Sequence, residues 1–391
     1  MPSIRTTVLG LAMAATLAGT AFAQSSDDKL TVGLMLTLSG PAAVIGQQAR
    51  DGFQLAVEDM GGKLGGLDTD VIVVDDELKP DSAVNKAKEL VERDGADFVV
   101  GPIFSNILMA ITKPITDEKV ILISPNAGTS VLAGPGCNEY LFVSSYQNDQ
   151  MHEVLGKYAE DKGYKKVFLM APNYQAGKDG LAGFKHSYTG EVVDEVYTPL
   201  GQLDFSAELA RIAAAKPDAV YTFMPGGMGV NLVKQYRQAG LEDIPFLSAF
   251  TVDETTLPAQ QDAAIGFFGG ANWAPNTDLP QSKAFVKAFE AKYGYVPGTY
   301  AMQAYDAAQM INSAVKAVNG DLSDKEGLVA ALEKADFQSL RGDFKLGHNH
   351  FPIQDFYLVK VAKRDDGKYQ TEIVEKIFDD YVDNYASQCK M

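Results

Sequence analysis

The regular exchange of short β-branched runs with helically spaced apolar residues constrains this fold most. Residues 30–36 (LTVGLML), 70–75 (DVIVVD), 97–101 (DFVVG) and 120–123 (VILI) read as buried strands. Between the first two, Ala49, Phe53, Leu55, Ala56 and Met60 fall near a 3.6-residue period, and Gly61-Gly62 ends the helix. Helices are expected over 81–93 and 105–118. Continuous apolar strands between amphipathic helices imply a parallel sheet covered on both faces. The rhythm restarts after residues 140–143, with a helix over 149–162 and strands at 166–170, 191–197, 219–223, 245–248 and 266–268. The architecture repeats, although no sequence repeat is evident. After Trp273 come three expected helices, 280–293, 300–319 and 324–335, and then strands near 340–344, 354–361 and 371–377. The late helical block is what the first sheet needs to complete its cover. The expected organisation is therefore α/β with two lobes, 24–143 plus 272–349 and 144–271 plus 350–391. Three crossings near 143, 271 and 349 would form a hinge over a closable cleft.

The first 23 residues have the parts of a secretory leader: Arg5, an apolar run over 8–15 too short to span a bilayer, and Ala21-Phe22-Ala23. Cleavage is expected after Ala23; the other reading, a buried N-terminal helix, sits poorly beside the polar residues 24–29. No Cys follows the cut site, so no lipid anchor is expected. In an oxidising compartment the only two cysteines, Cys137 and Cys389, read as a disulfide, with two independent thiols as the alternative. Neither has a His or second Cys nearby at ligand spacing, and no metal is expected. The net charge of −17 repels phosphate backbones and argues against nucleic acid as a partner.

Catalytic motifs are sparse. The glycine-rich 61–66 segment follows a helix, whereas a dinucleotide fingerprint follows a strand and opens a helix, so it reads as a turn. Neither a P-loop nor a G-x-S-x-G elbow occurs. His348-Asn349-His350 reads as a loop, and Asp75-Asp76 and Asp379-Asp380 as solvated surface. No cofactor is expected, and a secreted α/β enzyme would need a nucleophile beside a base, which the sequence does not place.

Binding chemistry gathers where open α/β sheets hold ligands, beyond the carboxyl ends of the strands. There lie Phe104-Ser105, with Ser105 expected to cap a helix whose free amides suit a carboxylate, and Asn126-Ala127-Gly128. In the second lobe come Tyr174-Gln175, Gly226 and Phe250-Thr251. Each loop alone is ordinary turn and cap chemistry; aromatics and methionines collecting at one edge suggest a pocket.

At these loops the chain resembles the type I periplasmic solute-binding proteins of ABC importers, the branch with the leucine/isoleucine/valine receptors. The resemblance rests on residues 32–41 (VGLMLTLSGP) with Gly46 and Gly52, Gly101-Pro102 with Ser105, Ser124-Pro125, Phe142-Val143-Ser144-Ser145 and Tyr305-Asp306-Ala307. It implies two Rossmann-like lobes and a small solute presented to inner-membrane permease subunits, with a monomeric, periplasmic protein expected. Carried over, the ligand carboxylate would meet Ser105 and the Asn126-Ala127-Gly128 turn, with Tyr174 and Tyr300 as walls. Where amino-acid receptors have acids for the ligand ammonium, this chain has Asn148 and Thr251, although Asp149 and Asp253 are close. A buried ammonium without a counter-charge is costly. The stretch 174–179 (YQAGKD) is similar to the aromatic-carboxylate branch. The expected ligand is a benzoate, hydroxybenzoate or cinnamate type, with Phe104, Tyr146, Tyr174, Phe250, Trp273 and Tyr300 around its ring and Tyr146 or Gln175 at a distal hydroxyl. The rivals are a branched-chain amino acid or amide held by Asp149 or Asp253, and a sensor subunit using the same closure.

Overall fold

The structure, a computed structural model, describes residues 29–391 together with Pro2; the leader reading and its cleavage after Ala23 otherwise lie outside the described residues. Two sheets organise the chain. The first has six strands in the order Lys63–Leu64, Leu67–Asp75, Lys29–Leu36, Phe98–Val100, Ile121–Ser124, Leu141–Val143. All neighbours are parallel except the short hairpin at one edge, turned at Gly65-Gly66. The glycine-rich segment is therefore a hairpin turn.

The second sheet has a parallel centre, Phe268–Ala271, Phe246–Ser248, Ala219–Thr222, Lys166–Pro172 and Glu191–Thr198. Its far side is antiparallel: Pro352–Lys363 runs against Phe268–Ala271 and pairs with Tyr369–Tyr381. Pro352–Lys363 largely alternates buried and half-exposed positions, the pattern of a strand covered on one face, whereas the edge strand Tyr369–Tyr381 is mostly half-exposed or exposed. No strand forms over 340–344. Gly342 has φ +89° and Leu340 donates its amide to Asp306, so this stretch turns instead of extending. A two-residue strand follows, Lys345–Leu346; the sequence places it with the first lobe, but it pairs with Pro352 and Ile353 on the second sheet.

The late helices Pro280–Tyr293, Thr299–Ala317 and Lys325–Glu333 match the expected block. The longest lies on the first lobe's opening helix, Ala43–Asp59, at a crossing so close that a Cβ on Gly52 would come within 2.0 Å of the Ala301 carbonyl oxygen. Asp76 is buried, contrary to its surface reading. It accepts hydrogen bonds from Thr37 Oγ1 at 2.7 Å and the Leu78 amide at 2.8 Å, bracing the loops at that strand end.

The three crossings between the sheets meet at one buried polar knot. Ser144 and Ser145 lie on the first, Asn272 on the second and Gln354 just past the third. The Ser145 carbonyl accepts from Arg341 Nη1 at 3.0 Å, Asn272 Nδ2 at 3.1 Å and Gln354 Nε2 at 2.6 Å. Arg341 also donates to the Ser144 carbonyl at 2.6 Å and to Asp306 Oδ2 at 3.0 Å, both ionic side chains being essentially inaccessible. Cys137 and Cys389 are disulfide-bonded, with Cα atoms 5.6 Å apart and a sequence separation of 252.

Two stability predictions follow from these constraints. Asp306→Ala leaves the Arg341 charge buried without its counter-ion and should cost about 3–5 kcal/mol in chemical unfolding. Cys389→Ser should cost about 2–5 kcal/mol and lower the melting temperature by at least about 5 °C, and reductant should do the same to the wild type but not to the variant.

Candidate functional site

A cavity lies between the sheets, walled by the carboxyl-end loops of both. The first lobe contributes Ile45, Ile103, Phe104, Ser105, Asn126, Ala127 and Tyr300. The second contributes Asn148 and His152 from the helix Asn148–Asp161, and Tyr174, Ala176, Phe223, Pro225 and Phe250 from its strand ends. Tyr146 comes from the crossing itself.

Aromatic rings form a collar around this space. Centroid separations are 6.0 Å for Phe104–Tyr174, 6.2 Å for Tyr174–Phe223, 5.9 Å for Phe223–Phe250, 5.4 Å for Tyr146–Phe250 and 5.7 Å for Phe250–Tyr300. Phe250 holds φ +59°, a left-handed conformation that costs about 1 kcal/mol or more for a residue with a side chain. Its neighbour Thr251 anchors it: buried, Thr251 Oγ1 accepts from the Met224 amide at 2.9 Å and bonds Thr222 Oγ1 at 3.0 Å.

The polar groups largely hold one another. Phe104, not Ser105, is the N-cap of the helix Ser105–Thr116, and it makes no side-chain cap bond; Ser105 is the first helical residue. That frees Ser105 Oγ to accept from Asn148 Nδ2 at 3.1 Å; the Ile107 amide is bonded to the Phe104 carbonyl at 3.0 Å, so the Ser105 and Asn106 amides are the ones the helix start leaves open. Asn148 Nδ2 also donates to Asp179 Oδ2 at 2.8 Å. Asn126 Nδ2 donates to the Ile103 carbonyl at 2.6 Å, and its Oδ1 accepts from the Tyr146 hydroxyl at 2.7 Å.

Several residues expected at the ligand lie elsewhere. Trp273 is in the first lobe's core, edge-on to Phe285 and donating to Ser282 Oγ at 2.8 Å; the chain leaving the second sheet turns it toward the helix Pro280–Tyr293. Gly128 has already committed its amide to Asn148 Oδ1 at 3.0 Å. Gln175 donates to Asp179 Oδ1 at 2.7 Å, outside the cavity. Gly226 sits at the rim near Ile45 and Pro41, and Thr251 is occupied as described. Ile45, Ile103, His152, Ala176, Phe223 and Pro225 line the space without having been singled out. Phe223 directly follows its strand, so the strand-end rule points to it; His152 lies inside a helix, where no loop signal exists.

Among the described residues no carboxylate lines the cavity. Asp149 turns away, accepting from Gln147 Nε2 and the Tyr385 hydroxyl, each at 2.9 Å; burial pushes its carboxyl up to about 7. Asp253 is held by Thr255, and burial pushes it up to about 6. His152 is buried, and desolvation pushes its imidazole down to about 3, so it is neutral near pH 7. The lobes touch over the cavity: the first-lobe residue Ser130 donates from its hydroxyl to Asp179 Oδ1 at 2.7 Å and from its amide to Oδ2 at 3.1 Å.

Two α/β lobes joined by three crossings enclose this cavity. A family model described as periplasmic binding protein matches residues 29–368, and the chain belongs to that family. It is a periplasmic solute-binding protein of the ABC-transporter type, a family of transport proteins rather than enzymes. The chain is 29% identical over 361 residues to "Leu/Ile/Val-binding protein homolog 6" of Brucella melitensis biotype 1, covering 89% of this chain and 91% of that one. It is similar to an ABC-transporter solute-binding protein of R. palustris in complex with benzoate, at 34% identity and TM-score 0.88 over 93% of this chain and 100% of that one. A solute-binding protein of Rhodopseudomonas palustris BisB5, in complex with 3,4-dihydroxy benzoic acid, matches at 30% identity and TM-score 0.86, covering 92% and 99%.

The raised carboxyls carry a pH signature. A carboxyl whose folded pKa lies above its unfolded value stabilises the fold fully below about pH 4 and loses that contribution as pH rises through the folded value. For Asp149 and Asp253 the loss falls between about pH 4 and 7. Asp149→Asn should therefore flatten the decline in melting temperature across that window, measured at constant ionic strength.

Proposed function

We propose that this chain carries an aromatic carboxylate, of benzoate, hydroxybenzoate or cinnamate type, to the permease subunits of an ABC importer in the inner membrane. The observation that carries the reading is a cavity collared by six aromatic rings with no carboxylate in its wall. Such a site suits a flat apolar ring, and the buried carboxyls behind it, Asp253 at Tyr300 and Asp179 at Asn148, stand outside its wall. The ligand carboxylate is assigned to Ser105 Oγ and the first-turn amides of its helix, where charge-assisted hydrogen bonds and the helix dipole favour an anion. Phe104, Tyr146, Tyr174, Phe223, Phe250 and Tyr300 pack the ring. The benzoate and dihydroxybenzoate complexes of the similar proteins support this choice. We further assign the protein to the periplasm as a monomer exported by its leader, cleaved after Ala23 and without a lipid anchor. Its lobes, 24–143 plus 272–349 and 144–271 plus 350–391, close on the solute. Leucine, isoleucine or valine is the second reading, favoured by the name of the Brucella relative.

The test is thermal shift and calorimetry on refolded, ligand-stripped protein with benzoate, 4-hydroxybenzoate, cinnamate, leucine and valine. A ligand at 100 times its Kd adds about 2.7 kcal/mol to the folded state and should raise the melting temperature by several degrees. A shift with aromatic acids alone supports the proposal, and a shift with leucine or valine alone overturns it. Ser105→Ala should weaken the aromatic acid about tenfold or more, since losing a charge-assisted hydrogen bond costs roughly 1.5–3 kcal/mol, and Tyr174→Ala should weaken it by a similar factor through the ring contact and buried area it removes. Trp273→Phe should lower stability and leave affinity unchanged.

A further inference from the structure

His152 is a buried histidine in the cavity wall for which the carboxylate-binding arrangement has no use. It lies four residues after Asn148, on the same face of the helix Asn148–Asp161 and one turn deeper in the second lobe. Asn148 touches Ser105, the carboxylate end. One helical turn advances about 5.4 Å, close to the length of a benzene ring between para substituents. A ring anchored at Ser105 therefore brings its far edge to the imidazole.

The surroundings fix the orientation of that imidazole. Gly180 packs on one face of the ring so closely that an added Cβ would come within 2.7 Å of Cε1 and 2.9 Å of both ring nitrogens, which leaves the nitrogens' in-plane directions as the ones open to partners. Nδ1 is hydrogen-bonded to the Tyr221 hydroxyl. Nε2 has no partner among the described residues, and the ring is one wall of the cavity. Tyr221 is fully buried, and its hydroxyl has no other acceptor among the described residues. Its proton must therefore point at Nδ1, because a buried hydroxyl proton left unpaired costs about 1–3 kcal/mol. Nδ1 accepts, so the proton of the neutral imidazole sits on Nε2.

We infer that His152 is a specificity-determining residue: its Nε2–H, set by Tyr221, donates to an oxygen at the para position of the bound aromatic acid. The ligand class narrows to aromatic acids bearing an acceptor opposite the carboxylate, a phenol or an ether oxygen among them. The inference rests on the aromatic-acid reading above. A site that hydrogen-bonds such an oxygen discriminates against analogues lacking it, because its donor is then buried unpaired.

The experiment compares 4-hydroxybenzoate with 4-methylbenzoate, nearly equal in size and differing in the oxygen, by calorimetry on wild type, His152→Leu and Tyr221→Phe. The wild type should prefer 4-hydroxybenzoate by tenfold or more. His152→Leu should bring the two within about twofold while still binding 4-methylbenzoate. Tyr221→Phe removes one oxygen, is the gentler change should His152→Leu fail to fold, and should reduce the preference at least threefold. A wild type without preference, or a preference that survives in whichever variants fold, overturns the inference while leaving the aromatic-acid reading intact. Failure of the wild type to bind any aromatic acid overturns both.

Discussion

The carbonyl oxygen of Ser145 is the point on which the two lobes depend. Three donors from three separate chain segments converge on it, and Arg341 adds bonds to the adjacent carbonyl and to Asp306. A guanidinium suits this place because its planar fork serves several acceptors at once and stays charged. Its desolvation is offset only while every partner is present. The crossings are thereby gathered at one place, and the carboxyl-end loops of both sheets face each other across it. A cleft at that edge is the geometric result.

The cavity follows a consistent electrostatic logic. Its polar groups are committed to one another: Asn126 to Tyr146, Asn148 to Ser105 and Asp179, Gly128 to Asn148. The acids close by are turned away or raised by burial, and the one histidine is neutral. What faces the space is ring surface and a helix start. In a low-dielectric enclosure the rings are cheap to leave without solvent, while the open amides of the helix start are costly to leave unpaired and so bind strongly a ligand that is flat at one end and anionic at the other.

Much of the fold was legible because burial leaves a period. Most strands sealed on both faces read as unbroken Val, Ile and Leu, and the helices between them as 3.6-residue stripes; Leu67–Asp75 reads the same way but is half-exposed, with Val73 at the surface, because only the short Lys63–Leu64 hairpin strand lies beyond it at the sheet edge. Strand-end loops could be located, so Phe104, Ser105, Asn126, Tyr174 and Phe250 were found by position. Side-chain direction was not legible. Trp273 follows a strand as those residues do, yet the next turn sends it into the core. Asn148 and Asp149 are adjacent on one helix, and only the facing elements decide which one meets the cavity. His152 carries no local signal, because what sets it apart is Tyr221, 69 residues later in sequence. The antiparallel far side of the second sheet was equally hidden, since the direction of a returning strand is a property of the connection and not of the strand.

The bond between Cys137 and Cys389 has a mechanical meaning. One sulfur belongs to a first-lobe loop and the other to the tail that follows the second lobe's last strand. The tail is also stitched locally, Tyr385 to Asp149 and Asp383 to Asn349, which in turn donates to the Ala133 carbonyl. The lobes thus share a covalent strap besides their three peptide crossings, and it lies along one flank of the cleft. A jaw strapped on one side swings like a door hung on a single jamb. At the other rim, where Pro41 packs against Gly226 and Gly227, the contact among the described residues is van der Waals only, and no covalent link joins the lobes there.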